Sequence, residues 1–245
     1  MKLTQYKKLE FHELEKANMV INQFVTSCSH SMRGPLKSIE GLVNLLYQRN
    51  KYSQADATAF LDLIGQTAIK MENMLDELEQ ILENSKREMI LKKIDWREII
   101  DSVLTRYHKE INENNVKVET CIVETIEFTS DLHRVHLILS HLIENAVQFQ
   151  DPNKSNHSVH IGVETSKKNC VIRISDNGIG IGREVQGLVF NLFFRATQKT
   201  KGAGLGLYVV SEAVEKMGGT ITVESIVEMG SVFIITLPNL AAKPS

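Results

Sequence analysis

Residues 60–82 read FLDLIGQTAIKMENMLDELEQIL, and this stretch decides the first part of the fold. Its apolar residues recur in alternating steps of three and four, which places them in one narrow stripe along an α-helix. The stripe comprises Leu61, Ile64, Ala68, Met71, Leu75, Leu78 and Leu82. The spacing therefore predicts a long helix that needs an apolar partner along one face.

A second stripe with the same spacing precedes the first. It comprises Val25, Cys28, Met32, Leu36, Ile39, Val43 and Leu46. The polar segment Gln48–Gln54 lies between the two stripes, so we expect an antiparallel helical hairpin. One hairpin has too little core to be stable alone, and two copies would bury both stripes as a four-helix bundle. This predicts a homodimer, while docking of the stripes onto the rest of the chain is the alternative.

Beyond a boundary at Lys86–Lys93 the pattern changes to mixed helices and strands. Helices are expected from Asp95 to about Asn112, from Asp131 to about Phe149 and from about Gly204 to Met217, and strands at Val116–Val123, Ser158–Thr165, Asn169–Ser175 and in a final hairpin. This mixed order predicts the α+β class.

Composition excludes several kinds of protein. The 245 residues carry 28 Lys+Arg and 30 Asp+Glu, a net charge of -2 that gives no general attraction to nucleic acid. No apolar run reaches the ~18–20 residues that span a bilayer, and the charged N-terminus lacks the apolar core of a signal peptide. Three widely spaced cysteines predict neither disulfides nor a zinc site, so we expect a cytoplasmic protein.

Two glycine-rich segments are candidates for a ligand site. In SDNGIGI (Ser175–Ile181), Asp176 ends a strand and can accept a hydrogen bond from an exocyclic amine, although Asp-Asn-Gly is also ordinary turn sequence. In KGAGLGL, Gly202, Gly204 and Gly206 precede a helix, whose N-terminal N–H groups suit phosphate. Neither a Walker A loop nor a dinucleotide-binding fingerprint is present, and the glycines could also serve turns or close packing.

Two helical segments carry polar residues that need an explanation. In HLIENAVQF (141–149), Asn145 interrupts an apolar run, which suits either a hydrogen-bonded core amide or a Mg²⁺ ligand. In FVTSCSHSMRGPLKSIE (24–40), His30 lies two residues from both Cys28 and Met32. Two residues are ~200° of helix rotation, so His30 should face solvent as a surface residue or as a nucleophile.

Together these motifs resemble those of the sensor histidine kinases of two-component signalling. SHSMRGPLKSI is similar to the phosphoacceptor box, HLIENAVQF to the N box, DNGIGI and KGAGLGL to the two glycine boxes, and LVFNLFFRA to the phenylalanine box. The order and spacing of these motifs carry the resemblance, which extends from about Phe24 to Leu237.

The resemblance implies a fold and a division of the chain. It implies a helical dimerisation and phosphotransfer hairpin followed by an α/β-sandwich ATP-binding domain of the GHKL (Bergerat) type. The expected parts are a connector helix at 1–23, the hairpin at 24–88, the catalytic domain at 89–240 and a tail at 241–245. Both a fragment of a protein with an upstream sensor domain and a complete kinase signalled through a partner fit this division.

The resemblance also implies residue roles. His30 is the expected phosphoacceptor, Asn145 the Mg²⁺ ligand, Asp176 the adenine-binding acid and Arg195 a lid residue reaching the γ-phosphate. Residues 182–201 would form the lid over ATP, anchored by Phe190, Phe193 and Phe194. The remaining expected cofactor-binding positions are His141, Gly178, Gly180, Gly202, Gly204, Leu205, Gly206 and Leu207. The implied partners are a second copy of the chain and a response-regulator receiver domain, with no nucleic acid.

The chain departs from the family pattern at several positions. Ser31 stands where the family usually has an acid that helps the histidine, and Gly34 stands where Thr or Asn is common. His141 replaces the usual first Asn of the N box, and Gln148 its closing Lys. Three interpretations follow: a histidine kinase, slow because Ser31 is a poor base; a catalytically weak scaffold or phosphotransfer partner; or a conformational ATPase, which His141 in place of a water-activating Glu disfavours.

Overall fold

The computed structural model describes residues 2–48, 52–196 and 204–242. Two long helices come first, α1 at Lys2–Tyr47 and α2 at Gln54–Lys86. A reciprocal cap begins α2: the Asp56 main-chain N–H donates to Ser53 Oγ over 3.2 Å, and the Ser53 N–H donates to Asp56 Oδ2 over 2.9 Å. The two helices that the stripes predict are present, and Pro35 lies inside α1 without ending it.

The rest of the chain alternates short strands and helices. The elements are β1 Leu91–Lys93, α3 Trp96–Arg106, α4 His108–Glu113, β2 Val116–Glu124, β3 Thr129–Asp131, α5 Leu132–Gln148, β4 His157–Thr165, β5 Asn169–Asp176, α6 Gly206–Lys216, β6 Thr220–Ile226 and β7 Gly230–Pro238. This mixed order confirms the α+β class.

Two helix bounds differ from those that the sequence predicts. Asp95 does cap α3, since its Oδ1 accepts from the N–H groups of Arg97 and Glu98 at 3.0 and 3.1 Å. However, the helix does not run on to Asn112, because Tyr107 leaves helical geometry and separates α3 from α4. The last helix begins at Gly206 rather than Gly204, because Gly204 has a φ of +80°.

A five-stranded sheet forms one layer of the globular part, with the order β2-β4-β5-β7-β6. Strands β2 and β4 are parallel, and the other neighbours are antiparallel. In β5 the buried side chains Cys170, Ile172 and Ile174 alternate with the less buried Val171 and Arg173. The helices α5 and α6 contact the sheet and each other, so the core lies between one sheet face and a helical layer.

The chain divides into two compact units whose limit falls inside α2. Residues up to Asp76 group with the first unit, and the last turns of α2, from Glu77, group with the globular unit. In the part of the chain that the structure describes, no helix combines the length and the apolar character needed to cross a membrane.

Candidate functional site

The expected phosphoacceptor, His30, lies on α1, and its side chain is exposed. This agrees with its predicted position away from the apolar stripe, since Cys28 and Met32 are both partly covered. The next residue, Ser31, is also partly covered, and Gly34 leaves open space where another residue would place a side chain. An exposed imidazole on a regular helix is accessible to a phosphoryl donor.

The N-box residues lie on α5 in the globular unit. His141 Nε2 lies 3.0 Å from Oε1 of Gln80, a residue near the end of α2. Burial, with a smaller effect from the charge of Arg106, lowers the pKa of His141 to about 4, so its ring is neutral at pH 7. Asn145 follows one helical turn later and is partly buried. It therefore lies on the same side of α5 as His141.

The acid beside Asn145 has a different environment. Glu144 is exposed, and its Oε2 accepts a hydrogen bond of 3.1 Å from the Tyr107 hydroxyl. Burial, and next the charge of Glu144, raise the pKa of Tyr107 above its usual range, so Tyr107 keeps its proton. Glu144 thus points to the junction of α3 and α4 and does not substitute for a water-activating acid at position 141.

The first glycine segment follows β5 and holds Asp176 by main-chain groups. The Gly178 N–H donates to Asp176 Oδ1 over 2.8 Å, and the Ser231 N–H also donates to this carboxylate. A Cβ at Gly178 would lie 2.1 Å from the Phe149 carbonyl oxygen, and Gly180 has a φ of +68°. Only glycine fits both positions, because the neighbouring main chain occupies the space of a side chain.

Burial raises the pKa of Asp176 to about 6. The N–H groups of Gly178 and Ser231 and the charge of Lys154 act in the opposite direction, because each favours the carboxylate. At pH 7 Asp176 is therefore mostly ionised, and it can accept a hydrogen bond from an amino group.

The second glycine cluster leads into α6. A Cβ at Gly204 would lie 2.6 Å from the Phe194 carbonyl oxygen, and one at Gly206 would lie 3.2 Å from His141 Nδ1. A side chain at position 206 would therefore force the His141 ring to shift by a few tenths of an ångström. Leu205 is buried and Leu207 partly buried, whereas Gly202 lies outside the described residues.

A carboxylate of α2 also reaches the start of α6. The Leu205 N–H donates to Glu77, whose other oxygen, Oε2, is buried without a hydrogen-bond partner. Burial, with the nearby charge of Glu144, raises the pKa of Glu77 to about 7. The N-terminus of α6 therefore holds an acidic side chain at a position that suits an anion.

The expected lid is described from Gly182 to residue 196. Phe190 contacts Phe233 of β7 edge to face, with ring centroids 6.5 Å apart. Phe193 and Phe194 are partly buried, and Arg195 is exposed, with its Cγ 3.0 Å from the position of a Cβ on Gly204. The Phe190 ring thus contacts the sheet, and Arg195 lies beside Gly204 of the second glycine cluster.

The donor set constrains how a metal could bind. Among the described residues, no group of three or more His, Cys, Asp or Glu side chains could hold a metal ion. Mg²⁺ prefers oxygen ligands and commonly binds through one or two protein groups together with substrate phosphates. The Asn145 amide fits that mode, in which phosphates and water supply most of the ligands.

The structure brings His141, Gly206 and Leu205 together, and Asp176 with Gly178. Sequence reasoning missed Glu77 and Gln80, which contact these groups from α2. A signal in the sequence was available, since Glu77 and Gln80 are polar residues next to the buried Leu78 and Ile81. A polar side chain that is covered in this way needs a hydrogen-bond partner. Lys154, next to the first glycine segment, gave no local signal.

Comparison with known proteins places this geometry in context. Residues 130–241 match the family model described as "Histidine kinase-, DNA gyrase B-, and HSP90-like ATPase". The methanogenesis regulatory histidine kinase FilI of Methanothrix harundinacea is 26% identical over 228 residues, which cover 93% of this chain and 26% of that protein. Histidine protein kinase SaeS of Staphylococcus epidermidis is 25% identical over 252 residues, which cover 97% of this chain and 71% of SaeS. The chain thus spans about a quarter of the first relative and most of the second.

Solved structures share the fold. Acinetobacter baumannii histidine kinase AdeS aligns with a TM-score of 0.64 at 22% identity, covering 86% of this chain and 98% of that chain. Histidine kinase ThkA, in a complex with response regulator protein TrrA, aligns with a TM-score of 0.75 at 20% identity, covering 98% of this chain and 68% of that chain. At these identities the likeness shows the fold alone.

Proposed function

We propose that this chain, whose residues 130–241 match the model of the histidine kinase-, DNA gyrase B- and HSP90-like ATPases, is a sensor histidine kinase. It phosphorylates His30 with ATP and passes the phosphoryl group to an aspartate of a response-regulator receiver domain. One observation carries the proposal: an exposed histidine on α1 occurs in the same chain as a nucleotide-type site in which an ionised Asp176 is followed by Gly178 and Gly180.

The proposed reaction is an in-line displacement. A ring nitrogen of His30, in its neutral form, bonds to the γ-phosphorus while the bond from that phosphorus to the β,γ-bridging oxygen breaks. ADP leaves with the electron pair, and the imidazole N–H proton passes to water because Ser31 is a poor base. Asn145 would hold a Mg²⁺ ion, which would neutralise phosphate charge. Arg195 adds a positive charge near the second glycine cluster.

Asp176 and the glycine segments have binding roles in this proposal. Asp176 accepts a hydrogen bond from the adenine amino group, with Gly178 and Gly180 allowing the base to approach. The main chain from Gly204 to Leu207 would face the phosphates. The neutral His141, engaged by Gln80, is a poor activator of water, which favours transfer to His30 over hydrolysis.

The partners and setting follow from the same proposal. A heptad row on α2 formed by Leu61, Ala68, Leu75 and Leu82 is exposed, which supports a homodimer through the helices. The related ThkA forms a complex with a response regulator, and we propose a regulator of that kind for this chain. We propose a cytoplasmic setting for the reaction, because ATP is its phosphoryl donor.

Incubation of the chain with γ-³²P-labelled ATP and Mg²⁺ tests the proposal. We expect acid-labile label on the wild type and none on His30→Ala. His160→Ala is the matched control, because His160 is also exposed but lies on β4, and it should retain the label. Label that survives His30→Ala would contradict the assignment of the phosphoacceptor.

The second candidate function is a catalytically weak scaffold, which Ser31 and Gly34 favour. It predicts nucleotide binding without label on any residue. An ATPase would instead release free phosphate at equal rates in wild type and His30→Ala. The Asp176→Asn variant tests the nucleotide site itself. We expect weaker ATP binding, and unchanged ATP affinity would contradict the assignment of this site.

A further inference from the structure

Lys154 lies in the loop between α5 and β4, where main-chain carbonyl oxygens surround its ammonium group. Its Nζ donates to the carbonyls of Asn177 at 2.6 Å, Gly178 at 3.5 Å and Glu228 at 2.5 Å. A lysine ammonium has three N–H donors, so these three acceptors match its capacity. Asn177 and Gly178 follow Asp176 directly, whereas Glu228 belongs to the turn between β6 and β7. Lys154 therefore joins two separate segments.

The two segments are already in close main-chain contact. The Glu228 N–H donates to the Ile179 carbonyl over 2.8 Å, and a Cβ at Gly180 would lie 2.1 Å from the Ile226 carbonyl oxygen. Glu228 itself has a φ of +64°, which is unusual for a residue with a side chain. At this junction the carbonyl oxygens of Asn177, Gly178 and Glu228 converge on the position of the Lys154 ammonium group, and their partial negative charges repel one another. A cation at that point removes the repulsion.

We propose that Lys154 is a positioning residue for nucleotide recognition, which fixes the main chain after Asp176 against the β6–β7 turn and keeps the Asp176 carboxylate ready to accept the base. The inference rests on the proposed function, since it assigns a new residue to the same site. Lys154 acts through Asp176 and the glycine segment.

Electrostatics gives Lys154 a second effect at the same place. The pKa of Asp176 is raised by burial and lowered by the N–H groups of Gly178 and Ser231 and by the charge of Lys154. Among the described residues, Lys154 is the charged side chain that acts on this pKa. Loss of the Lys154 charge leaves the effect of burial less opposed, so the pKa of Asp176 rises further above its ordinary value. A protonated Asp176 offers a weaker acceptor to an amino group.

Calorimetric titration of the full chain with a non-hydrolysable ATP analogue and Mg²⁺, between pH 5.5 and 8.5, tests the inference. We expect Lys154→Met to weaken binding about tenfold at pH 7, and to raise the pH below which affinity declines. Lys154→Arg keeps the charge and donors, and should restore the pH profile and most of the affinity. Lys167→Met is the matched control, because Lys167 is exposed in the β4–β5 turn, at the other end of these strands.

The outcomes separate this inference from the proposed function. If the wild type binds no nucleotide, both are overturned. If the wild type binds and Lys154→Met matches it in affinity and pH profile, only the role of Lys154 is overturned. A uniform loss of affinity at every pH, with a lower thermal midpoint by circular dichroism, would assign Lys154 a merely structural role and would also overturn the inference.

Discussion

The two compact units treat their apolar side chains in opposite ways. In the first unit Leu61 and Ile69 on α2 are 59% and 58% exposed, whereas Ile172 and Ile174 on β5 are fully buried in the second. The globular unit covers its core with its own helices. The helical unit, as a single chain, leaves half of its α2 stripe open, because Leu61 and Leu75 are exposed while Ile64 and Met71 are partly covered.

This difference indicates which unit buries its apolar side chains within one chain and which needs a partner to bury them. Burial of a large apolar side chain contributes about 1.5–3 kcal/mol. Burial of the exposed leucines of α2 in an interface would therefore stabilise the association of two chains. The globular unit buries its core within itself, and its stability should depend on internal contacts. Each of the following predictions tests one side of this contrast.

The largest effect should come from the buried arginine of the globular unit. Arg134 is 2% exposed and donates to Asp131 Oδ2 at 2.9 Å, to Asn84 Oδ1 at 2.7 Å and to the Arg87 carbonyl at 2.7 Å. It also donates to the Asn84 main-chain carbonyl at 2.9 Å, so Arg134→Met would leave a buried carboxylate and three carbonyl oxygens without this donor. We expect a loss of about 3–5 kcal/mol in the free energy of unfolding of this unit, measured by denaturant titration.

The exposed Arg97 of α3 provides the control for this substitution. Arg97→Met should change the free energy of unfolding by no more than about 0.5 kcal/mol. Equal stability of the Arg134 and Arg97 variants would mean that the buried network is not important for the globular unit.

An intermediate effect is expected on the helical unit. Leu75→Asp places a charge in the exposed α2 row and should convert the proposed dimer to a monomer, because a charge is costly to bury at an apolar interface. Sedimentation equilibrium would show the change in mass. Asn73→Asp adds the same charge about 200° around the helix and should leave the mass unchanged. A monomeric wild type would contradict the proposed dimer.

The smallest effect should be the pH dependence contributed by Glu77, at the start of the globular unit. Its pKa is raised from 4.5 to about 7, so folding favours its protonated form. Its contribution to stability is complete below pH 4.5 and is lost as the pH rises through about 7. The thermal midpoint of the wild type should therefore fall relative to that of Glu77→Gln between pH 5 and 8, by an amount equivalent to about 2 kcal/mol.

Glu79→Gln is the control, since Glu79 is exposed two residues away on α2. Its thermal midpoint should follow the wild type across the same pH range. Parallel curves for the wild type and Glu77→Gln would contradict the raised pKa.

Much of the fold could be predicted because the spacing of apolar residues indicates which side of a helix or strand is buried. Steps of three and four predicted α1 and α2, and alternation at Val116–Val123 predicted β2. Asp95 predicted the start of α3, but its end could not be predicted, because Tyr107 leaves the helix in a context that includes its hydrogen bond to Glu144, 37 residues away. The start of α6 was displaced by two residues, because Gly204 adopts a positive φ beside Phe194.

The site could be predicted only in part, for a related reason. Asp176, Gly178 and Gly180 stand out because a strand that ends in an acid and is followed by two closely spaced glycines is a local pattern. Lys154 and Gln80 have no such pattern around them. Their importance arises from contacts with Asn177, Glu228 and His141, which are distant in sequence.

By itself, the sequence determined the two long helices, the α+β class of the globular unit and the motifs that relate the chain to sensor histidine kinases. These features depend on neighbours a few residues apart, whose spacing directly sets which side chains share a face. Only the tertiary structure decided that Glu77 meets the start of α6, that His141 lies against Gly206 and that Lys154 holds the segment after Asp176. Such contacts depend on how separate elements pack, and a local pattern shows that a face is covered without showing which side chain covers it.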